Sequence, residues 1–141
     1  MKCTLPLLLS IFAFATLVSR GATPSPIVFE ITSQQFEPGD RIVIKEVWAT
    51  SPRLRVGDTV IVRGQYRLQS RAEAALGFFL TTNGPSGSTR VSPEQRAVVG
   101  AGSGTFELKH VVPSEGRLHV SFYPRPSGSS FGGVYFGPAV P

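Results

Sequence analysis

Val56-Gly57-Asp58-Thr59-Val60-Ile61-Val62-Arg63-Gly64-Gln65-Tyr66-Arg67-Leu68 decides the fold of this chain. Val60, Val62, Tyr66 and Leu68 alternate there with Ile61, Arg63, Gln65 and Arg67. Side chains on a strand point to opposite faces with period 2, so the apolar set packs inward while arginines and glutamine meet water. The stretch therefore reads as a half-buried antiparallel strand.

Working outward, the same signature recurs on both sides. Residues 27–32 form an expected first strand, residues 36–40 a turn, and residues 41–48 a second strand with Ile42 and Ile44 on one face. Lys45-Glu46 interrupts that alternation and predicts a bulge before Val47. Gly39-Asp40 and Gly57-Asp58 both precede apolar strands, a repeated turn chemistry in which glycine supplies unusual backbone angles and aspartate local hydrogen bonds. Residues 74–81 follow the opening strand across a short polar turn, and residues 83–93 are a Gly/Ser/Pro loop. Residues 95–99 make a short strand, and residues 100–104 a glycine-rich connection. Residues 104–112 and 117–123 are strands joined by Pro113-Ser114-Glu115-Gly116. Residues 124–130 form the last loop before a closing strand over residues 131–136. No segment carries a capped helix with apolar residues at helical spacing, and only residues 92–98 offer a single helical turn. Val60, Val62, Leu76, Phe78, Leu80, Phe106, Leu108, Leu118, Val120 and Phe122 are the expected core.

The amino terminus is read apart from the fold. Met1-Lys2 supplies a positive end, and residues 5–18 are apolar apart from Pro6, Ser10 and Thr16, the length of a signal-peptide core. Ser19 and Gly21 suit cleavage after Gly21. The alternative, an uncleaved anchor, needs about 20 apolar residues, and Arg20 closes the run early. The expected division is thus a signal peptide over residues 1–21, a Thr/Ser/Pro linker over residues 22–26 and one domain over residues 27–141. Localisation follows as secreted, periplasmic or at the cell surface, with no transmembrane span in the mature chain.

The only cysteine, Cys3, lies in that leader, so the mature domain has no disulfide and offers no thiol chemistry or cysteine-bound zinc. About 120 residues remain, enough for a single core. The chain holds 14 Lys+Arg against 9 Asp+Glu, or 12 against 9 once Lys2 and Arg20 leave with the leader. That modest excess is scattered rather than gathered in a stripe, which argues against a nucleic-acid surface.

Gly57-Asp58-x-Val60-x-Val62-x-Gly64 resembles the B strand of immunoglobulin-like domains, with Gly64 where those domains usually place a cysteine. Phe106-x-Leu108-x-x-Val111 followed by Ser114-x-Gly116-x-Leu118-x-Val120 resembles their E and F strands, with Leu118 at the usual tyrosine and Val120 at the second cysteine. Phe78 stands close to the position of their strand C tryptophan. The resemblance covers residues 57–137. It implies an all-β fold, a single antiparallel immunoglobulin-like β-sandwich of about seven to eight strands, of the disulfide-free kind that includes bacterial extracellular modules. Fold of this kind carries no function by itself.

Chemistry is sparse. His119 and Ser121 share an expected outward face on the strand over residues 117–123 and are the one pairing that mimics a base and a nucleophile. Ser121 has no Gly-x-Ser-x-Gly context, and such residues are ordinary on the solvent side of a strand. His110 falls at the core edge or, with a bulge, on the surface. A metal site would require His110, His119 and a carboxylate such as Glu107 to converge, and the glutamates show no pair set for glycoside hydrolysis. The reading is of a non-catalytic protein with no cofactor and no metal.

Aromatic residues carry the functional expectation. Phe79, Tyr123 and Tyr135 fall on the face opposite Phe78, Phe122 and Phe136, and Trp48 lies at a strand end. Exposed rings on a flat β face stack on sugars or anchor a protein partner at low entropic cost. Arg117 and Arg125 would add hydrogen bonds to such a surface, as would Arg67. The expected partner is a polysaccharide or an extracellular protein, bound by Tyr123, Tyr135, Trp48, Phe79, Arg117 and Arg125. The alternative is a structural or assembly role in which the closing strand, loosened by Gly132 and Gly133, pairs edge to edge with another chain.

Overall fold

The computed structural model describes residues 21–82 and 91–140. The expected leader, apart from Gly21, and most of the Gly/Ser/Pro loop after Thr81 lie outside the described residues.

Seven strands and one 3-10 turn make up the described chain: β1 (Ser25–Pro26), β2 (Phe29–Gln35), β3 (Arg41–Ala49), β4 (Thr59–Thr81), the turn Pro93–Gln95, β5 (Arg96–Val111), β6 (Arg117–Tyr123) and β7 (Gly132–Pro138). All pairings are antiparallel, in the order β1-β3-β4-β6-β7-β2 with β5 against β4. The fold is all-β, a single curled sheet.

The curl is produced by β4. The polar run after Leu68 reads in sequence as a turn between two strands, but the backbone stays in strand conformation across it and one strand spans Thr59–Thr81. Its first half pairs with β3 and with β5 from Gly102 onward. Its second half pairs with β6 and with β5 up to Gly100, and the ladder slips between Leu68 and Glu73. Likewise the glycine-rich residues 100–104 are not a connection but the middle of β5, opposite that slip. A register slip of this kind bends and twists a strand pair, so both halves of β4 face one core.

Asp40 braces the corner. Its Oδ1 accepts from the Gln69 and Ser70 amides at 2.7 and 2.9 Å, and its Oδ2 accepts from the Ser70 hydroxyl at 2.5 Å. Burial works to raise this carboxyl's pKa, yet those hydrogen bonds, with Arg71 nearby, hold it below the ordinary value. Asp58 does the same for residues 50–58, accepting from Thr50 Oγ1 at 2.8 Å, from Ser51 Oγ and from the Arg55 amide at 2.7 Å. Gly39 and Gly57, which precede the two aspartates, have φ of +87° and +88°, angles glycine adopts freely. The repeated Gly-Asp chemistry is therefore real at both turns. The bulge expected at Lys45-Glu46 is also present, as a slip between Ile44 and Glu46.

Inside, Val60, Val62 and Leu68 from one half of β4 meet Leu76 and Phe78 from the other, with Phe106, Leu108, Leu118, Val120 and Phe122. Rings cross between the two halves: Phe78 lies 5.5 Å from His110 and 5.7 Å from Phe136, and Tyr66 lies 6.5 Å from Phe122. Each fully buried Val, Leu or Phe contributes about 1.5–3 kcal/mol. Of the expected core only Leu80 is half-buried, since it sits at the open end of the sheet.

Three further expectations need correction. Residues 25–26, read as linker, form β1 against Ala49 and Trp48. The closing strand β7 is no edge, because β6 and β2 flank it; β2 is the edge strand on that side. His119 and Ser121 do share a face, but they are 5% and 2% exposed rather than solvent-facing. Phe79 and Tyr135 on neighbouring strands pack on the His119 ring, and Ser121 lies between Gly77 and Gly133, with the Gly133 backbone close over its hydroxyl.

Candidate functional site

On the side of the curled sheet away from the core, register places side chains in rows. Phe79 of β4, His119 of β6, Tyr135 of β7 and Ser33 of β2 are successive partners, and directly paired residues share a face. The next row is Arg96, Gly77, Ser121, Gly133 and Gln35, and Tyr123 stands beyond it opposite Ala75. The rings close over the small residues. The His119 and Tyr135 rings lie 4.7 Å apart, Phe79 and Tyr123 meet edge to face at 5.4 Å, and Phe79 folds across Gly77, where a Cβ would strike its ring. Arg96 lies 5.3 Å over Phe79 and Arg117 4.4 Å over Tyr135, and Arg117 Nη2 donates to Ser33 Oγ at 3.0 Å.

A polar chain runs beneath these rings. His119 Nδ1 and Ser121 Oγ are 2.7 Å apart, His119 Nε2 and Thr81 Oγ1 3.1 Å, and Thr81 Oγ1 and Tyr135 Oη 3.5 Å. Burial, then the positive charge of Arg117 and the proximity of His110, lowers the His119 pKa to about 4 from 6.5. Burial raises the Tyr123 hydroxyl to about 12. The imidazole is therefore neutral at pH 7, with one nitrogen donating and the other accepting. His119 and Ser121 do have the contact of a base and a nucleophile. A base works best with a pKa near the operating pH, and Gly133 packs over the Ser121 hydroxyl so closely that a Cβ there would collide with it. The bond links the His119 and Ser121 rows.

Beside Tyr135 the surface opens into a groove of about 510 Å³. Gly133 and Ser121 form its floor; Ser33, Gln34, Gln35, Glu37 and Ser130 present hydrogen-bonding groups; Tyr135, Phe36 and Phe131 are its aromatic walls. Phe131 is fixed from two sides, stacked on Phe122 at 5.6 Å and capped by Arg71 at 3.8 Å. The glycines at 132 and 133 allow close packing along the groove: a Cβ on Gly132 would press on Phe36 at 3.2 Å, and one on Gly133 would strike Ser121.

Of the residues expected to bind, Phe79, Tyr123, Tyr135 and Arg117 come together on this face. Trp48 does not: it lies on β3, paired with Pro26 and Ile61, with Arg63 5.1 Å over its ring and its indole N–H donating to Glu46 at 3.1 Å. Arg125 is bound to Glu73 at 3.6 Å beyond the Tyr123 end of the rows. Arg67 is turned away, donating to the Gly39 carbonyl at 2.8 Å. His110 is buried against Phe78 and Gln95, and Glu107 is held on the surface by Arg63 at 2.6 Å, so these two do not converge with His119. Sequence reasoning missed Ser33, Gln35, Phe36 and Phe131. A bulge between Ile31 and Ser33 breaks period 2 and turns Ser33 and Gln35 to the Tyr135 face, and neither residue carries an apolar signal that would extend the strand.

No known family model, curated protein or solved structure matches this chain. Among the described residues no helix is long and apolar enough to cross a membrane.

Proposed function

We propose that this chain is an exported, non-catalytic immunoglobulin-like β-sandwich module that binds polysaccharide in the groove beside Tyr135. Strand neighbours support the fold assignment. The segment resembling strand B pairs with the segment resembling strand E, and the second half of β4 adjoins β6 and then β7, as C, F and G adjoin in such domains. Export rests on the apolar leader with its small-residue cleavage site.

The observation that carries the function is a polar trough with aromatic walls. Sugar rings offer apolar faces to aromatic side chains and hydroxyls to Ser, Gln and carboxylate groups, and the groove sets Tyr135 beside Ser33, Gln35 and Glu37. Tyr123 and Phe79 are packed on each other and serve to hold Tyr135 and His119 rather than to touch ligand.

The test is retardation of residues 22–141 in gels cast with neutral and acidic polysaccharides. Tyr135→Ala and Gln35→Ala are expected to abolish retardation by at least one polysaccharide, while Trp48→Ala leaves it intact. Equal mobility of all four proteins in every gel sinks the proposal. If sedimentation of the same samples then shows association that Ile31→Lys removes, the function lies in assembly through the edge strand β2, where Ile31 is 43% exposed.

A further inference from the structure

A second groove opens at the far end of the curled sheet, where β4 begins and ends. Leu80, Val112, Leu118 and Phe136, which close that end of the core, form its floor, and its volume is about 560 Å³, in the range of small-ligand sites. The loop over residues 50–58 forms one wall. Asp58 ties that loop through Thr50, Ser51 and the Arg55 amide, and Leu54 takes the left-handed conformation at φ +51°, the only non-glycine residue among those described to do so. The turn lays the Leu54 side chain against the core and leaves its neighbours Arg53 and Arg55 exposed, both lining the groove. Neither guanidinium joins an ion pair among the described residues. Glu115, on the opposite wall, is the one acid lining the groove. Val56 on the same loop also lines the groove and is 55% exposed.

An apolar floor, the exposed Val56 and two exposed guanidinium groups outside any ion pair, one of them, Arg55, close enough to Asp58 to lower its pKa, specify an occupant with a hydrocarbon chain and an anionic head. We propose that this groove binds a single-chain anionic amphiphile, its chain over Leu80, Val112 and Phe136 and its carboxylate held by Arg53 and Arg55. Arginine forks pair with carboxylates in charge-assisted bonds, and an apolar pocket with a few convergent polar groups is the usual form of a small-molecule site. The site is separate from the groove beside Tyr135: none of the residues lining one lines the other.

The probe is sodium decanoate below its micelle concentration, titrated into 15N-labelled protein and followed by amide chemical shifts. Saturable shifts are expected at residues 53–56, 112–118 and 136–138, and Arg53→Ala/Arg55→Ala is expected to weaken binding by about tenfold or more, the loss of at least one charge-assisted bond. Butyrate, which lacks the chain, and decyl glucoside, which lacks the charge, are expected to bind weakly, and the latter equally to parent and variant. Absent or unsaturable shifts, shifts centred elsewhere, or unchanged decanoate affinity in the double variant would overturn the proposal. Flotation with phosphatidylglycerol vesicles separates the sources. Binding that needs both arginines means the chain is taken from a bilayer; decanoate binding without flotation means that the amphiphile arrives free.

Discussion

Acidifying the protein tests the buried His119 directly. The unfolded chain takes a proton on this histidine as pH falls through 6.5, while the folded chain refuses it until about 4. The folded pKa is depressed, so the stabilisation is fully present above pH 6.5 and is lost progressively as pH drops from 6.5 toward 4. Linkage turns that gap into about 2.5 kcal/mol lost between pH 7.5 and pH 4.5. That is a large share of the roughly 5–15 kcal/mol typical of a small domain. Urea unfolding at the two pH values, on the parent and on His119→Gln, isolates the effect. Glutamine keeps a donor and an acceptor near Ser121 and Thr81 but does not titrate. His110, which burial also shifts downward, and the carboxylates Asp40 and Asp58 are common to both proteins and cancel in the difference. The parent should lose about 2.5 kcal/mol more than the variant on acidification. Parallel pH profiles, or an imidazole resonance of His119 titrating near 6.5, would refute the buried network.

Other consequences follow from the same contacts. Phe78→Ala removes the ring that meets both His110 and Phe136 across the core and should cost about 3–5 kcal/mol, read as a lower urea midpoint; a melting curve like the parent's would mean that the two halves of β4 do not share one core. Asp40→Ala removes the acceptors of the Gln69 and Ser70 amides and of the Ser70 hydroxyl, and should cost about 1–3 kcal/mol. Amide exchange should quicken first at residues 68–72 in that variant, and uniform protection there would show that the corner holds without Asp40.

The part of the fold legible in sequence was the part set by local alternation. Val60 to Leu68, Leu76 to Phe78 and Leu118 to Phe122 each gave the correct inward set, because the pleat alone assigns faces. The corner was not legible. Gln69, Ser70, Arg71 and Ala72 look like any polar turn, and what keeps them in a strand is Asp40, twenty-nine residues from Gln69 in sequence, accepting their hydrogen bonds. Only tertiary contact distinguishes a bent strand from two strands and a loop.

The same limit explains the site. Period 2 correctly put His119, Ser121 and Tyr123 on the face away from the core, but a face is solvated only if nothing large stands on the neighbouring strands. Tyr135 and Phe79 are the register partners of His119, and that pairing depends on β7 adding outside β6 rather than forming an edge. Once β2 adds outside β7, Ser33 and Gln35 arrive beside Tyr135 and Gly133, and a row of half-covered rings becomes the wall of a trough. The groove is thus a product of strand order: its walls come from opposite ends of the chain, and neither end carries a motif of its own. Gly133 lies where the two meet, and its lack of a side chain leaves room for the Ser121 hydroxyl, which a Cβ there would strike.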